Sequence, residues 1–154
     1  MDKVLLKESF ERISRQKEAF AATFYQRLQE KCPHLLPFFA NVDIKRQQTS
    51  LMATLAVLVR GIEQGDDLSP IFRKLGRVHH ERHIRAEHYP DFGSTLMETL
   101  AQFDPEWTRE HREAWAAALD QCVRGMMESY DPGATVYRVQ ISGVRTRRDS
   151  LPVS

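Results

Sequence analysis

Three polar residues stand where apolar helix faces would otherwise continue. His79 follows Phe72 and Leu75 on one helical stripe. Gln47 opens the stripe Leu51, Leu55 and Leu58, and Tyr25 sits one turn from Ala21 and Leu28. Apolar stripes at this spacing turn inward in a folded chain. A buried polar group without a partner costs about 1–3 kcal/mol, so something must satisfy all three. A neutral imidazole is a ligand for a transition metal, including as the fifth ligand of a haem iron. Tyr and Gln both carry hydrogen-bond donors. Facing the open position of such an iron, they would stabilise a bound, partly negative diatomic molecule. Phe38 and Phe39 could pack against a flat macrocycle. Each polar residue also has a plainer reading. His79 could be a hydrogen-bonded core or interface histidine, the Tyr25 hydroxyl could meet a backbone carbonyl, and Gln47 could lie in the exposed first turn of its helix.

The elements that must position these residues are helical almost throughout. A first helix from about Lys3 carries Val4, Leu6, Phe10, Ile13 and Lys17 at successive steps of two to four residues, and a second carries Phe20, Phe24, Leu28 and Cys32. Pro33 and Pro37 restrict the knot Leu35 to Phe39 to a short helical piece. Asp43 is placed to cap the helix bearing Gln47, Leu51, Leu55, Leu58 and Ile62, which Gly65-Asp66-Asp67 ends. Ser69-Pro70 starts the helix of Phe72, Leu75 and His79, with Ser as cap and Pro at the first helical position. Tyr89-Pro90 interrupts the chain before the helix of Phe92, Leu96, Leu100 and Phe103. Asp104-Pro105 opens the last and longest helix, with Trp107, His111, Trp115, Ala118, Cys122 and Met126 on one face. After the turn signal Asp131-Pro132-Gly133, Tyr137, Val139 and Ile141 alternate with polar residues, which is strand periodicity. The basic end from Arg145 to Ser154 reads as disordered.

The bulk numbers narrow the function classes. A chain of 154 residues suits one domain with a sizeable core. Its 22 basic and 21 acidic residues argue against nucleic acid or an anionic membrane as the main partner. No apolar run approaches the roughly 20 residues of a membrane span, and the Met-Asp-Lys start lacks a signal peptide's apolar stretch. Cys32 and Cys122 are too few for a disulfide framework and have no Cys-x-x-Cys spacing. A soluble cytoplasmic protein with reduced thiols is the expectation.

At the residues singled out, the sequence resembles a globin, most nearly the bacterial single-domain haemoglobins and the haem domain of flavohaemoglobins. The resemblance covers about residues 3–130. Thr23-Phe24-Tyr25-Gln26-Arg27-Leu28 is similar to the family's second helix, whose Tyr faces the distal side of the haem. Cys32-Pro33 through Phe39 resembles the short third helix, with Phe39 on the haem-packing Phe. Gln47 and Leu51 fall on the distal polar residue and its apolar neighbour one turn on. Leu75-Gly76-Arg77-Val78-His79 resembles the proximal helix, and His88-Tyr89-Pro90 the His-Tyr-Pro that opens the next one.

The resemblance implies an all-α globin fold, a three-over-three helical sandwich. Residues 1–130 would form the haem domain, and 131–154 a short non-helical C-terminal extension. It implies haem b as cofactor with His79 on the iron. Phe39, Tyr89 and Leu51 would touch the cofactor, and Tyr25, Gln47 and Leu51 would form the distal ligand pocket for oxygen, nitric oxide or carbon monoxide. Two positions depart from flavohaemoglobins, which carry Lys where this chain has Val78 and a Glu where it has Tyr130, with Glu128 nearby. That Glu raises imidazole basicity and helps activate oxygen. No flavin- or nicotinamide-binding stretch follows, so electrons are expected from another protein, a flavin reductase.

Reversible oxygen binding is therefore the expected function. Nitric oxide dioxygenation supported by a separate reductase and a haem-based gas sensor are the alternatives. A zinc site in His79-His80-Glu81-Arg82-His83 competes for the same residues, because His79 and His83 would share a helix face. The run lacks the His-Glu-x-x-His order, and no Cys pair joins it.

Overall fold

The computed structural model describes residues 1–130, and the strand-like and basic segments expected beyond them lie outside the described residues. The chain is helical among those residues: α1 (Lys3–Ser14), α2 (Lys17–Lys31), a 3-10 helix (Pro33–Phe39), α3 (Ile44–Gln64), α4 (Ser69–Glu81), a second 3-10 helix (Ala86–His88), α5 (Tyr89–Phe103) and α6 (Arg109–Met127). One layer holds α1, α3 and α4, and the other α2, α5 and α6. Within the layers α1 packs on α3 and α2 on α5, while α4 on α6, α1 on α6 and α2 on α3 join them. The expected three-over-three sandwich is the observed architecture.

Local signals set most of the boundaries. The Asp43 carboxylate accepts from the N–H groups of Lys45 and Arg46 at 3.1 and 3.2 Å, the expected cap of α3. At the other end Gly65 takes φ 72°, a left-handed conformation that costs glycine least, and the Asp66 N–H closes on the Gly61 carbonyl at 2.9 Å. Between the caps, Leu55, Leu58, Val59 and Ile62 are buried. Each large aliphatic side chain so buried contributes about 1.5–3 kcal/mol.

Several expectations are corrected. The buried face of α1 is Leu6, Ser9 and Ile13, with Val4 and Lys17 exposed. Ser9 replaces a hydrophobe there because its hydroxyl bonds Asp104 and the Trp115 indole. Ser69 is the first residue of α4 rather than its cap. The Asp67 carboxylate accepts the Ser69 N–H at 3.0 Å instead. Asp104-Pro105 does not open α6. Asp104 closes α5, and Thr108 caps α6 in a reciprocal box with His111. The longest helix among the described residues is α3, with 21 residues against 19 for α6. Asp104 escaped that reading because its partners are distant in sequence: its buried carboxylate takes hydrogen bonds from Arg12 Nε at 2.6 Å and Ser9 Oγ at 2.6 Å.

The α4–α6 contact sets the height of His79. A Cβ on Gly76 would stand 2.2 Å from the Met126 carbonyl oxygen, and one on Gly125 would stand 2.5 Å from Phe72 Cβ. Only hydrogen at these two positions lets the helices approach this closely. The Ser129 hydroxyl ties the end of the contact to the Arg73 carbonyl at 2.8 Å.

Candidate functional site: a cavity between α3 and α4

A cavity of about 430 Å³ opens between α3 and α4, floored by α2, α5 and α6. That is within the usual size of a small-molecule site, and its lining is mostly apolar with a few convergent polar groups. Tyr25, Phe39, Gln47, Leu51, His79 and Tyr89, far apart in the sequence, all line it. Phe38 does as well, whereas Gln48, the neighbour a one-residue slip of α3 would bring forward, does not.

His79 enters from α4. Its Nδ1–H donates to the Leu75 carbonyl one turn back, at 2.6 Å. Burial pushes its pKa down, partly offset by that hydrogen bond, and the nearby Arg82 charge lowers it further. The Leu75 carbonyl can only accept, so Nδ1 carries a proton, and burial disfavours adding a second one. Its Nε2 lone pair has no hydrogen-bond partner among the described residues. His83 does not share this face. The last residue of α4 is Glu81, and His83 turns into the left-handed region at φ 65°. This conformation is uncommon for a residue with a Cβ. The Ile84 N–H then bonds the His79 carbonyl at 3.0 Å, and buried Ile84 joins the cavity wall.

Tyr25 and Gln47 come together on the opposite wall. The Tyr25 hydroxyl donates to the Gln47 backbone carbonyl at 3.3 Å, a long bond. Burial pushes the phenol up to about 12, against a smaller opposing effect of Arg82, so it stays a donor near neutral pH. Phe24 and Phe39 meet the Tyr25 ring edge-on at 4.9 and 5.9 Å and fix its direction.

Below His79 the Tyr89 ring lies 6.2 Å from the imidazole, with its hydroxyl 2.7 Å from that of Tyr130. Tyr130 thus occupies the place next to Tyr89 where the flavohaemoglobin resemblance leads one to look for a carboxylate. Glu128 is exposed and does not fill it. Sequence reasoning missed Arg82. This exposed residue lines both the cavity and the adjoining polar recess of Asn41, Asp43, Arg46, Gln47 and Ser50. No periodic signal marks it, since α4 ends one residue earlier.

The globin family's sequence profile matches residues 22–126. The chain belongs to the globin family. Among relatives of this globin, the flavohemoprotein of Bordetella parapertussis is 31% identical over 107 residues, which are 68% of this chain and 27% of that protein. The flavohemoprotein of Pseudomonas aeruginosa is 28% identical over 116 residues, 73% of this chain and 30% of its own length. The globin thus spans about three-tenths of the flavohemoproteins it matches. A crystal structure of a Pseudomonas aeruginosa PAO1 protein, described as structurally highly homologous to a human hemoglobin, superposes with a TM-score of 0.74 at 25% identity. It covers 83% of this chain and 97% of the other.

Globin membership implies haem binding, and the cavity residues fit that group. An imidazole nitrogen without a hydrogen-bond partner among the described residues stands on an apolar, aromatic-lined wall, the donor type and setting that haem iron takes. No helix among the described residues is long and apolar enough to cross a membrane.

Proposed function

We propose that this globin holds haem b through His79 and binds oxygen reversibly on the side lined by Tyr25, Gln47 and Leu51. The observation that carries the reading is the state of His79. Its Nδ1–H is donated to Leu75, which leaves Nε2 as the free ligand nitrogen on the cavity wall. When bound, haem supplies the iron that takes a diatomic ligand. His79 holds it from one side, Phe39 and Leu51 pack on it and exclude water, and Tyr89 supports the proximal wall. The Tyr25 hydroxyl leaves its long bond to the Gln47 carbonyl for a more strongly polarised acceptor, and the Gln47 side chain adds a second donor. The reading takes residues 1–130 as the haem domain and places the protein in the cytoplasm, where its free thiols Cys32 and Cys122 stay reduced.

Nitric oxide dioxygenation supported by a flavin reductase is the second reading, favoured by the flavohemoprotein relatives. The proximal side weighs against it as the main role. His79 donates to a neutral carbonyl and Tyr89 to or from a neutral phenol, so neither partner lends the imidazole negative charge.

Oxygen off-rates test the distal roles. Tyr25→Phe and Gln47→Leu are each expected to speed oxygen dissociation about fivefold, the equivalent of about 1 kcal/mol per hydrogen bond. Carbon monoxide, less polar when bound, is expected to respond less in the same stopped-flow measurement. Unchanged oxygen off-rates in both variants would remove these residues from the ligand site.

A further inference from the structure

Two of the large hydrophobic side chains left exposed among the described residues lie on α4: Ile71 is 40% exposed and Val78 36%. Seven residues apart, they share one outer stripe with half-buried Leu75 between them. The stripe is about 10.5 Å long. An uncovered apolar stripe of this kind marks a contact surface. Its neighbours Lys74 and Arg77 are exposed cations, which disfavour a strongly basic occupant over the stripe itself. The opposite charge lies just before α4, where Asp66 and Asp67 are both exposed.

The chain supplies a segment of matching length, pattern and charge. Tyr130 stacks on His80 with ring centroids 4.8 Å apart, so the chain leaves the described residues beside the last turn of α4. Asp131-Pro132-Gly133 is a turn signal at that point. Residues 131–136 can bridge up to roughly 20 Å. Tyr137, Val139 and Ile141 then alternate with Arg138, Gln140 and Ser142. Extended, the three apolar residues span about 13 Å, close to the length of the stripe. A segment with one apolar face must bury that face against another element. Arg145, Arg147 and Arg148 follow. The four residues from Ile141 to Arg145 reach roughly 13 Å, enough to bring the arginines from beside Ile71 to Asp66 and Asp67.

We infer that residues 137–141 dock on the outer face of α4 as an intramolecular clasp. They run antiparallel to the helix, with Tyr137 towards Val78, Ile141 towards Ile71, and the arginines that follow beside Asp66 and Asp67. The single cation of the docked stretch, Arg138, faces solvent by the alternation. The clasp covers α4 from outside, while α6 holds it from inside through Gly76 and Met126. It thereby steadies the helix that bears His79. The docking itself does not depend on a bound cofactor.

Disulfide trapping in the full-length chain tests both contact and direction. Cys32 and Cys122 are buried and stay inert under mild oxidation. The double variant Ile71→Cys/Ile141→Cys is expected to close an intramolecular bond at least tenfold faster than Ile71→Cys/Tyr137→Cys, with the bridged peptide identified by mass spectrometry. Equal rates, or a faster reaction from position 137, overturn the clasp. Disulfide-linked dimers as the main product overturn it in favour of a second copy of the chain on this face. The variant Tyr137→Ser/Val139→Ser/Ile141→Ser alters no described residue, so it keeps the helical core and still reports on α4. Hydrogen exchange of the α4 amides 74–81 is expected to quicken about threefold or more in it. Exchange at the wild-type rate overturns the clasp.

Discussion

His79→Ala is expected to fold like the wild type and to lose its grip on haem. The side chain is only half-buried and lines a cavity, so its removal takes little from the core. What it takes from the cofactor is the iron bond. Haem retention should weaken by about a hundredfold or more, equivalent to roughly 3 kcal/mol. Transfer of haem to an excess of an apo-globin acceptor, followed by the decay of the Soret band, measures this. His83→Ala is the matched comparison. His83 is exposed and lies beyond the end of α4, so its loss should leave haem transfer at the wild-type rate. If His83→Ala sheds haem while His79→Ala keeps it, the iron ligand has been assigned one turn too early.

Arg12→Ala is expected to cost the fold the most. The Asp104 side chain is wholly buried and ion-paired with Arg12 at 2.6 Å, which in turn reaches Glu106 at 3.1 Å and the His111 ring at 3.2 Å. Burial alone would raise the Asp104 carboxyl. Hydrogen bonds from Arg12, Ser9 and the Glu106 N–H, with the Arg12 charge, outweigh it and hold the group below the ordinary carboxylate value. Removing Arg12 strands a charge in the core, which costs about 3–5 kcal/mol. The pH dependence follows from the direction of the shift. A carboxyl depressed in the folded state contributes stability that is fully present above its unfolded value, near 4. That contribution is lost as pH falls through the lower folded value. Urea unfolding of wild type and Arg12→Ala should therefore differ most near neutral pH and converge under strong acid. A gap that stays constant down to acid pH would mean that packing of the Arg12 stem, rather than its charge, stabilises the α1–α5 corner.

The two predictions draw on features of unequal visibility in the sequence. The cavity residues were legible because helical periodicity turns a single polar residue on an apolar stripe inward, and His79, Gln47 and Tyr25 each interrupt such a stripe. Family resemblance then set their register to one another. Caps with nearby partners, such as Asp43 and Gly65, were legible for the same local reason. The Asp104 cluster was not, because its meaning depends on Arg12 and Ser9, about ninety residues away. Asp104-Pro105 therefore read as a helix start. Ser9 carries no local signal of burial, although the Trp115 indole donates to it at 2.9 Å inside the core. Arg82 was hidden in another way: it touches both the cavity and the polar recess from a turn, where periodicity carries no information. The Tyr89–Tyr130 contact depends on how far α6 and its last turn run, which sequence spacing alone leaves open by a residue or two.

The most direct test of a neutral His79 on haem iron is the resonance Raman spectrum of the ferrous, ligand-free protein. With Nδ1–H on the Leu75 carbonyl and no carboxylate beside Tyr89 among the described residues, the expected result is an iron–histidine stretch typical of a neutral imidazole and lower than in flavohaemoglobins. The band should vanish in His79→Ala. A stretch as high as in flavohaemoglobins would show an anionic partner on the imidazole and put oxygen activation ahead of reversible binding. A band that survives in His79→Ala would contradict the assignment of His79 itself.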